Sequence, residues 1–165
     1  MKENIVVVFI VFIILSICFI FSNSLKGPEA TMADSNFFLD IIYSVVNRFI
    51  DVDYDKMSFL VRKCAHMTEF CILGIFLCCL TLYIKRNTRK NLFGYTLFVG
   101  LLTAVTDEHI QRFTGRTSST TDIFIDFTGL CIGIVGVILL NLLIGYIMSR
   151  VKRKNRLINI KEKDR

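Results

Sequence analysis

The chain has 165 residues, of which 53% are hydrophobic and only 21% charged, with a formal net charge of +6. Soluble domains of this size carry about a quarter charged residues, spread evenly. Here the charges are clumped between four apolar stretches, which excludes an ordinary soluble domain and predicts an all-α membrane protein with four transmembrane helices. No phosphate loop, dinucleotide fingerprint, nucleophile elbow or nucleic-acid module occurs, which counts against ATP-driven transport and most soluble enzyme chemistry.

The first predicted span covers about residues 5–21. Its apolar run exceeds the 7–15 residues of a signal-peptide core, and Phe21-Ser22-Asn23-Ser24-Leu25-Lys26 offers no small-x-small cleavage site, so it reads as a retained helix. An extracytoplasmic segment follows. From Asp34 onward, Phe37, Phe38, Ile41, Ile42, Val45, Val46, Phe49 and Ile50 recur at helical spacing opposite Asp40, Ser44, Asn47, Arg48 and Asp51. That pattern predicts an amphipathic helix, either a lid or outer packing for the bundle. Asp51-x-Asp53-x-Asp55 resembles the start of a calcium loop, but Lys56 replaces the required glycine and Arg62 the bidentate glutamate.

The remaining spans are predicted at about 65–84, 92–108 and 123–148, followed by a basic tail over 149–165. With no Pro/Gly/Ser linker and no repeat, residues 1–165 read as one domain. The six cysteines lie in or beside apolar helices without a Cys-x-x-Cys pair, so they read as packing residues. Orientation follows from the cations. The N-terminus, the loop holding Lys85, Arg86, Arg89 and Lys90, and the tail together carry 13 of the 20 Lys and Arg residues. That side is cytoplasmic, with both termini on it. The tail is expected on the anionic inner leaflet.

Two polar constellations then fall at the outer ends of apolar helices: Arg62-Lys63-x-x-His66-x-x-Glu69, and Asp107-Glu108-x-x-Gln111-Arg112 running on through Arg116 to Asp122 and Asp126. Arg62, His66, Glu69 and Leu73 share one helical stripe; Ala104, Asp107, Glu108 and Gln111 share another if the third helix continues outward. On the fourth helix, Asp122 and Asp126 share a face with Gly129-x-x-x-Gly133, a spacing that allows close helix approach, within the bundle or between copies. Ionisable groups at the edge of hydrocarbon are costly when they face lipid, so these stripes are expected to face one inward pit. Asp122 also has a capping reading, since Ser118-Ser119-Thr120-Thr121 precedes it at a helix start.

At these residues the chain resembles the VanZ-like family of bacterial membrane proteins. Arg62-Lys63-x-x-His66-x-x-Glu69-Phe70 is similar to that family's Arg-Lys-x-x-His-x-x-Glu-Tyr motif, and Asp107-Glu108-x-x-Gln111-x-Phe113-x-Gly115-Arg116 to its second signature. Phe21-Ser22-Asn23-Ser24 is similar to its Phe-Ser turn. Phe70 stands where tyrosine is common, Thr114 where proline is common, and Asp126 where asparagine is usual. The resemblance implies a bacterial cell-envelope role, the name-giving member being associated with resistance to the lipoglycopeptide teicoplanin.

Three functions are compatible with these residues. A binding protein would hold a lipid-linked envelope precursor or a lipid-tailed antibiotic at the outer leaflet, with Arg62, Lys63, Gln111, Arg112, Arg116, Asp122 and Asp126 around its head group. An enzyme would use His66, Glu69, Asp107 and Glu108 for acid–base work, with Glu69, Asp107, Glu108 and Asp126 as candidate ligands for a divalent cation. Oxygen ligands favour magnesium, manganese or calcium; adding His66 permits zinc. A structural or transporter subunit would simply pair its charges.

Overall fold

The computed structural model describes residues 2–26, 39–44, 46–48, 53–115 and 119–163. Helix α1 covers Lys2–Ser24, α2 Tyr54–Thr88, α3 Phe93–Phe113 and α4 Thr120–Lys163. They run alternately up and down, with α2 packed most extensively on α4. No strand occurs among the described residues.

Local chemistry sets the ends. Asp53 caps α2, its carboxylate accepting from the Asp55 amide at 3.1 Å, which is the role the structure gives to that aspartate. Arg89 closes α2 in the left-handed region, φ 59°, its amide bonded to the Lys85 carbonyl. Ser119 precedes α4 and accepts from the Thr121 amide at 3.2 Å, so the predicted hydroxyl cap is present. The helices outrun their predicted apolar stretches. α2 begins eleven residues earlier than its predicted span, α3 continues to Phe113, and α4 carries the basic tail onward as helix to Lys163.

α1, α2 and α4 are long and apolar enough to cross a membrane. Only 11%, 33% and 17% of their most apolar windows are buried within the bundle. Val7, Val8, Leu15 and Phe19 on α1, and Leu139, Leu142 and Ile147 on α4, are exposed. Apolar faces of this extent are unsuited to water and suited to lipid. α3 does not reach the same apolar standard: its last two turns carry Asp107, Glu108 and Arg112.

The core is built on Leu130, fully enclosed in α4. A Cβ added at Gly74 of α2 would collide with the Leu130 carbonyl, and one at Gly100 of α3 with the Leu130 side chain. Gly129 and Gly133 in turn lie against the carbonyls of Met67 and Cys71. The small-residue face of α4 is therefore spent on α2 of the same chain. Ile13, Ile20, Phe70, Leu73, Leu77, Ala104 and Ile134 complete the core. Phe70 is fully buried. At the opposite end from the acidic helix termini, the Thr81 and Thr96 hydroxyls bond at 2.5 Å and Arg86 bonds Asn141.

Of the expected amphipathic helix, residues 39–44 and 46 are helical, whereas Phe37, Phe38, Val45, Phe49 and Ile50 lie outside the described residues. Leu39 is fully buried, Ile41 and Ile42 are exposed, and Asp40 accepts from the Tyr54 hydroxyl at 3.2 Å. The six cysteines are free thiols, with Cys78 buried and Cys18 and Cys64 exposed.

Candidate functional site

The polar motifs meet at one end of the bundle, and all four helices contribute. α1 ends in Asn23 and Ser24. Asn23 Nδ2 donates to Glu69 Oε1 at 2.8 Å, and Ser24 Oγ donates to Asp107 Oδ1 at 2.5 Å. Gln111, one turn beyond Asp107, donates from Nε2 to Asp107 Oδ2 at 2.8 Å and to Ser24 Oγ at 3.3 Å. The Thr114 hydroxyl bonds the Ser24 carbonyl at 3.2 Å. The end of α1 is thus tied to α2 and α3 by side chains, and both oxygens of the enclosed Asp107 carboxylate have donors.

Helix α4 enters through its first turns. Lys63 forms an ion pair with Asp122, and Glu108 Oε1 accepts from the Ser119 amide at 2.6 Å. Asp126 is buried, with Asp107, Asp122, Glu108 and Lys63 as charged neighbours. His66 Nδ1 stands 3.9 Å from Glu69 Oε2, one turn along α2.

Arg62, Lys63, His66, Gln111, Asp122 and Asp126 line a cavity of about 10 Å³, room for roughly one water molecule. On its other side, Arg62 and His66 also line a groove of about 900 Å³ between α1 and α2. That groove is walled by Phe19, Ile42, Met57, Leu60, Ala65 and Ile72, and ringed by Asn23, Lys26, Arg62, His66 and Glu69. An apolar trough thus opens beside a small pit of mixed charge, with two side chains common to both.

Of the expected site residues, Arg62, Lys63, His66, Gln111, Asp122 and Asp126 line the pit, whereas Glu69 lines the trough and Asp107 and Glu108 are buried in the hydrogen-bonded cluster. Arg112 does not line the pit; it lies in a separate cleft with His109. Arg116 lies outside the described residues. Glu69, Asp107, Glu108 and Asp126, weighed above as ligands for a divalent cation, are not gathered with a third ligand: among the described residues no group of three or more His, Cys, Asp and Glu side chains is placed to hold a metal ion. Sequence reasoning missed Asn23 and Ser24. Their only signal is that two polar residues end an apolar run.

Comparison with known families gives one match: residues 9–141 fit the model described as VanZ/LLP1. The match covers most of the chain, from early α1 to the middle of α4. The chain belongs to the VanZ/LLP1 family. No curated protein and no solved structure matches it. Both polar motifs that carried the resemblance fall inside the matched span, as do Asn23 and Ser24, so the four-helix polar cluster belongs to the VanZ-like part of the molecule. The last helical turns of α4, with the basic tail, lie beyond it.

Proposed function

We propose that this VanZ-like protein binds a lipid-tailed envelope molecule, a lipid-linked precursor or a lipoglycopeptide such as teicoplanin, at the outer leaflet of the bacterial membrane. The tail lies in the trough between α1 and α2 and the head group rests on its polar ring. In this reading α3 also crosses the bilayer, both termini are cytoplasmic, and the cluster faces outward.

One observation carries the proposal: the trough has mainly apolar walls and a belt of polar and charged side chains, the two kinds of surface an amphiphile presents. Its ring holds Lys26 and Arg62 against Glu69, which suits an anionic group with a neighbouring hydroxyl or amine. Arg62 is suited to hold a phosphate or carboxylate in two-pronged fashion. Binding of this kind would lower the concentration of a lipid-anchored antibiotic at its target without chemistry.

A second reading has an observation of its own. Asn23 holds one oxygen of Glu69 while the other faces His66, an orienter–acid–imidazole order found where a general base is positioned. The two readings part at Glu69. A sensitive Gram-positive host should make the parent, Ala65→Phe or Glu69→Gln at matched membrane levels, with teicoplanin and vancomycin susceptibility measured for each. Ala65 is exposed and lines the trough, so phenylalanine there fills the trough without entering the core. Binding predicts several-fold protection against teicoplanin by the parent, loss with Ala65→Phe, and retention with Glu69→Gln. Loss with Glu69→Gln, at unchanged protein level, favours acid–base chemistry. Equal protection by parent and Ala65→Phe would remove the trough from the function.

A further inference from the structure

Glu108 is used only in part by the polar cluster. Its residue is 4% exposed and Oε1 is bound to the Ser119 amide, but Oε2 is enclosed and has no hydrogen-bond partner among the described residues. A buried carboxylate oxygen left without a donor is costly, and more so when the group is charged. Glu108 also lines a cleft of about 310 Å³ between α3 and α4, together with Val105, Thr106, His109, Arg112 and Ile123. His109 and Arg112 are exposed, one turn apart on α3 from Val105 and Glu108 respectively, and the His109 ring packs edge-on to Phe113 at 4.9 Å.

The cleft therefore offers, within two turns of helix, an acceptor with unmet demand and a guanidinium. Its surroundings are lipid-like: Val105 in its wall and Phe113, packed on His109, are exposed large hydrophobics. We propose that this cleft is a second binding site, separate from the trough, that takes the head group of a bilayer phospholipid carrying a primary amine: the phosphate on Arg112 and His109, the ammonium on Glu108. An ammonium fits Glu108 better than a hydroxyl because it supplies charge as well as hydrogens to an enclosed carboxylate. The apolar rim selects a lipid over a soluble phosphoamine. The site does not depend on what the trough binds.

The test uses full-length protein in nanodiscs of equal phosphatidylethanolamine and phosphatidylcholine, with retained lipids counted by native mass spectrometry. The two head groups share the phosphate, and only the first has N–H donors. Wild type should retain phosphatidylethanolamine several-fold over phosphatidylcholine. Glu108→Gln keeps an oxygen for the Ser119 amide but turns the second acceptor into a donor, so that preference should vanish. Arg112→Gln, at an exposed position, should lower retention of both lipids and serves if Glu108→Gln does not fold. No preference in wild type, or a preference untouched by the folded variants, overturns the site. Equal retention of phosphatidylglycerol, which offers hydroxyls but no amine, overturns the amine assignment.

Discussion

Asp107 shows how the cluster is held together. It is wholly enclosed, and the two donors that satisfy it come from different helices, Ser24 of α1 and Gln111 of α3. Hydrogen bonds to a charged group contribute about 1.5–3 kcal/mol, and the orphaned partner carries most of the loss when one is removed. Ser24→Ala is therefore expected to destabilise the protein by about 1–3 kcal/mol in detergent melts. Asp107→Ala on that background should add less than it does alone, because the two residues share one interaction. A strictly additive pair would mean that α1 is not held through this bond. The acidic and basic members of the site were legible because ionisable groups in apolar helices have few innocent explanations. Asn23 and Ser24 were not, since amide and hydroxyl side chains at the end of an apolar run are ordinary, and only their partners 46 and 83 residues away give them meaning. Arg112 was expected around the head group as a cation, yet it neighbours Gln111 on a helix, where successive side chains point about 100° apart, and it lines a different cleft.

At the level of elements, α2 and α4 meet through glycines, and the contact is backbone against backbone. A methyl group at Gly133 would press on the Cys71 carbonyl and the Ile75 amide, neither of which can move without its helix. Gly133→Ala should therefore cost about 1–3 kcal/mol or more and reduce the folded fraction. Gly136, three residues on, has open space where its side chain would be. Gly136→Ala is expected to be neutral or stabilising by up to about 1 kcal/mol, since alanine loses less backbone freedom. Comparing the two in one melting experiment separates close packing from helix propensity; equal effects would deny the close approach. The four long helices were legible from their apolar runs, and the Gly129-x-x-x-Gly133 face was recognised, but its partner was not, because spacing alone does not distinguish a helix of the same chain from a second copy. Helix ends were read short for a physical reason. Hydropathy marks where hydrocarbon stops, whereas backbone hydrogen bonding continues through Tyr54–Val61 of α2 and the basic turns of α4.

For the whole molecule, the parity of the crossings falls on α3. Three crossings would put the termini on opposite sides of the membrane; four put them on the same side. α3 has 21 residues, about 31 Å of helix, the thickness of the hydrocarbon core. Its acidic end is not presented to lipid: Asp107, Glu108 and Gln111 are buried against α1 and α4, which lowers the cost that composition alone assigns to them. The cations agree, since the last turn of α2 and the connection to α3 carry Lys85, Arg86, Arg89 and Lys90, and the later turns of α4 carry Arg150, Lys152, Arg153 and Lys154. We therefore expect epitope tags at both termini, and a cysteine placed at Asn87 in an otherwise cysteine-free chain, to resist impermeant reagents in intact cells and to react after permeabilisation. A cysteine at Gly115 should react in intact cells. A tag exposed at one terminus only would make α3 a half-buried helix instead of a span, and would put the trough and the pit at different depths from those that lipid-tail binding requires.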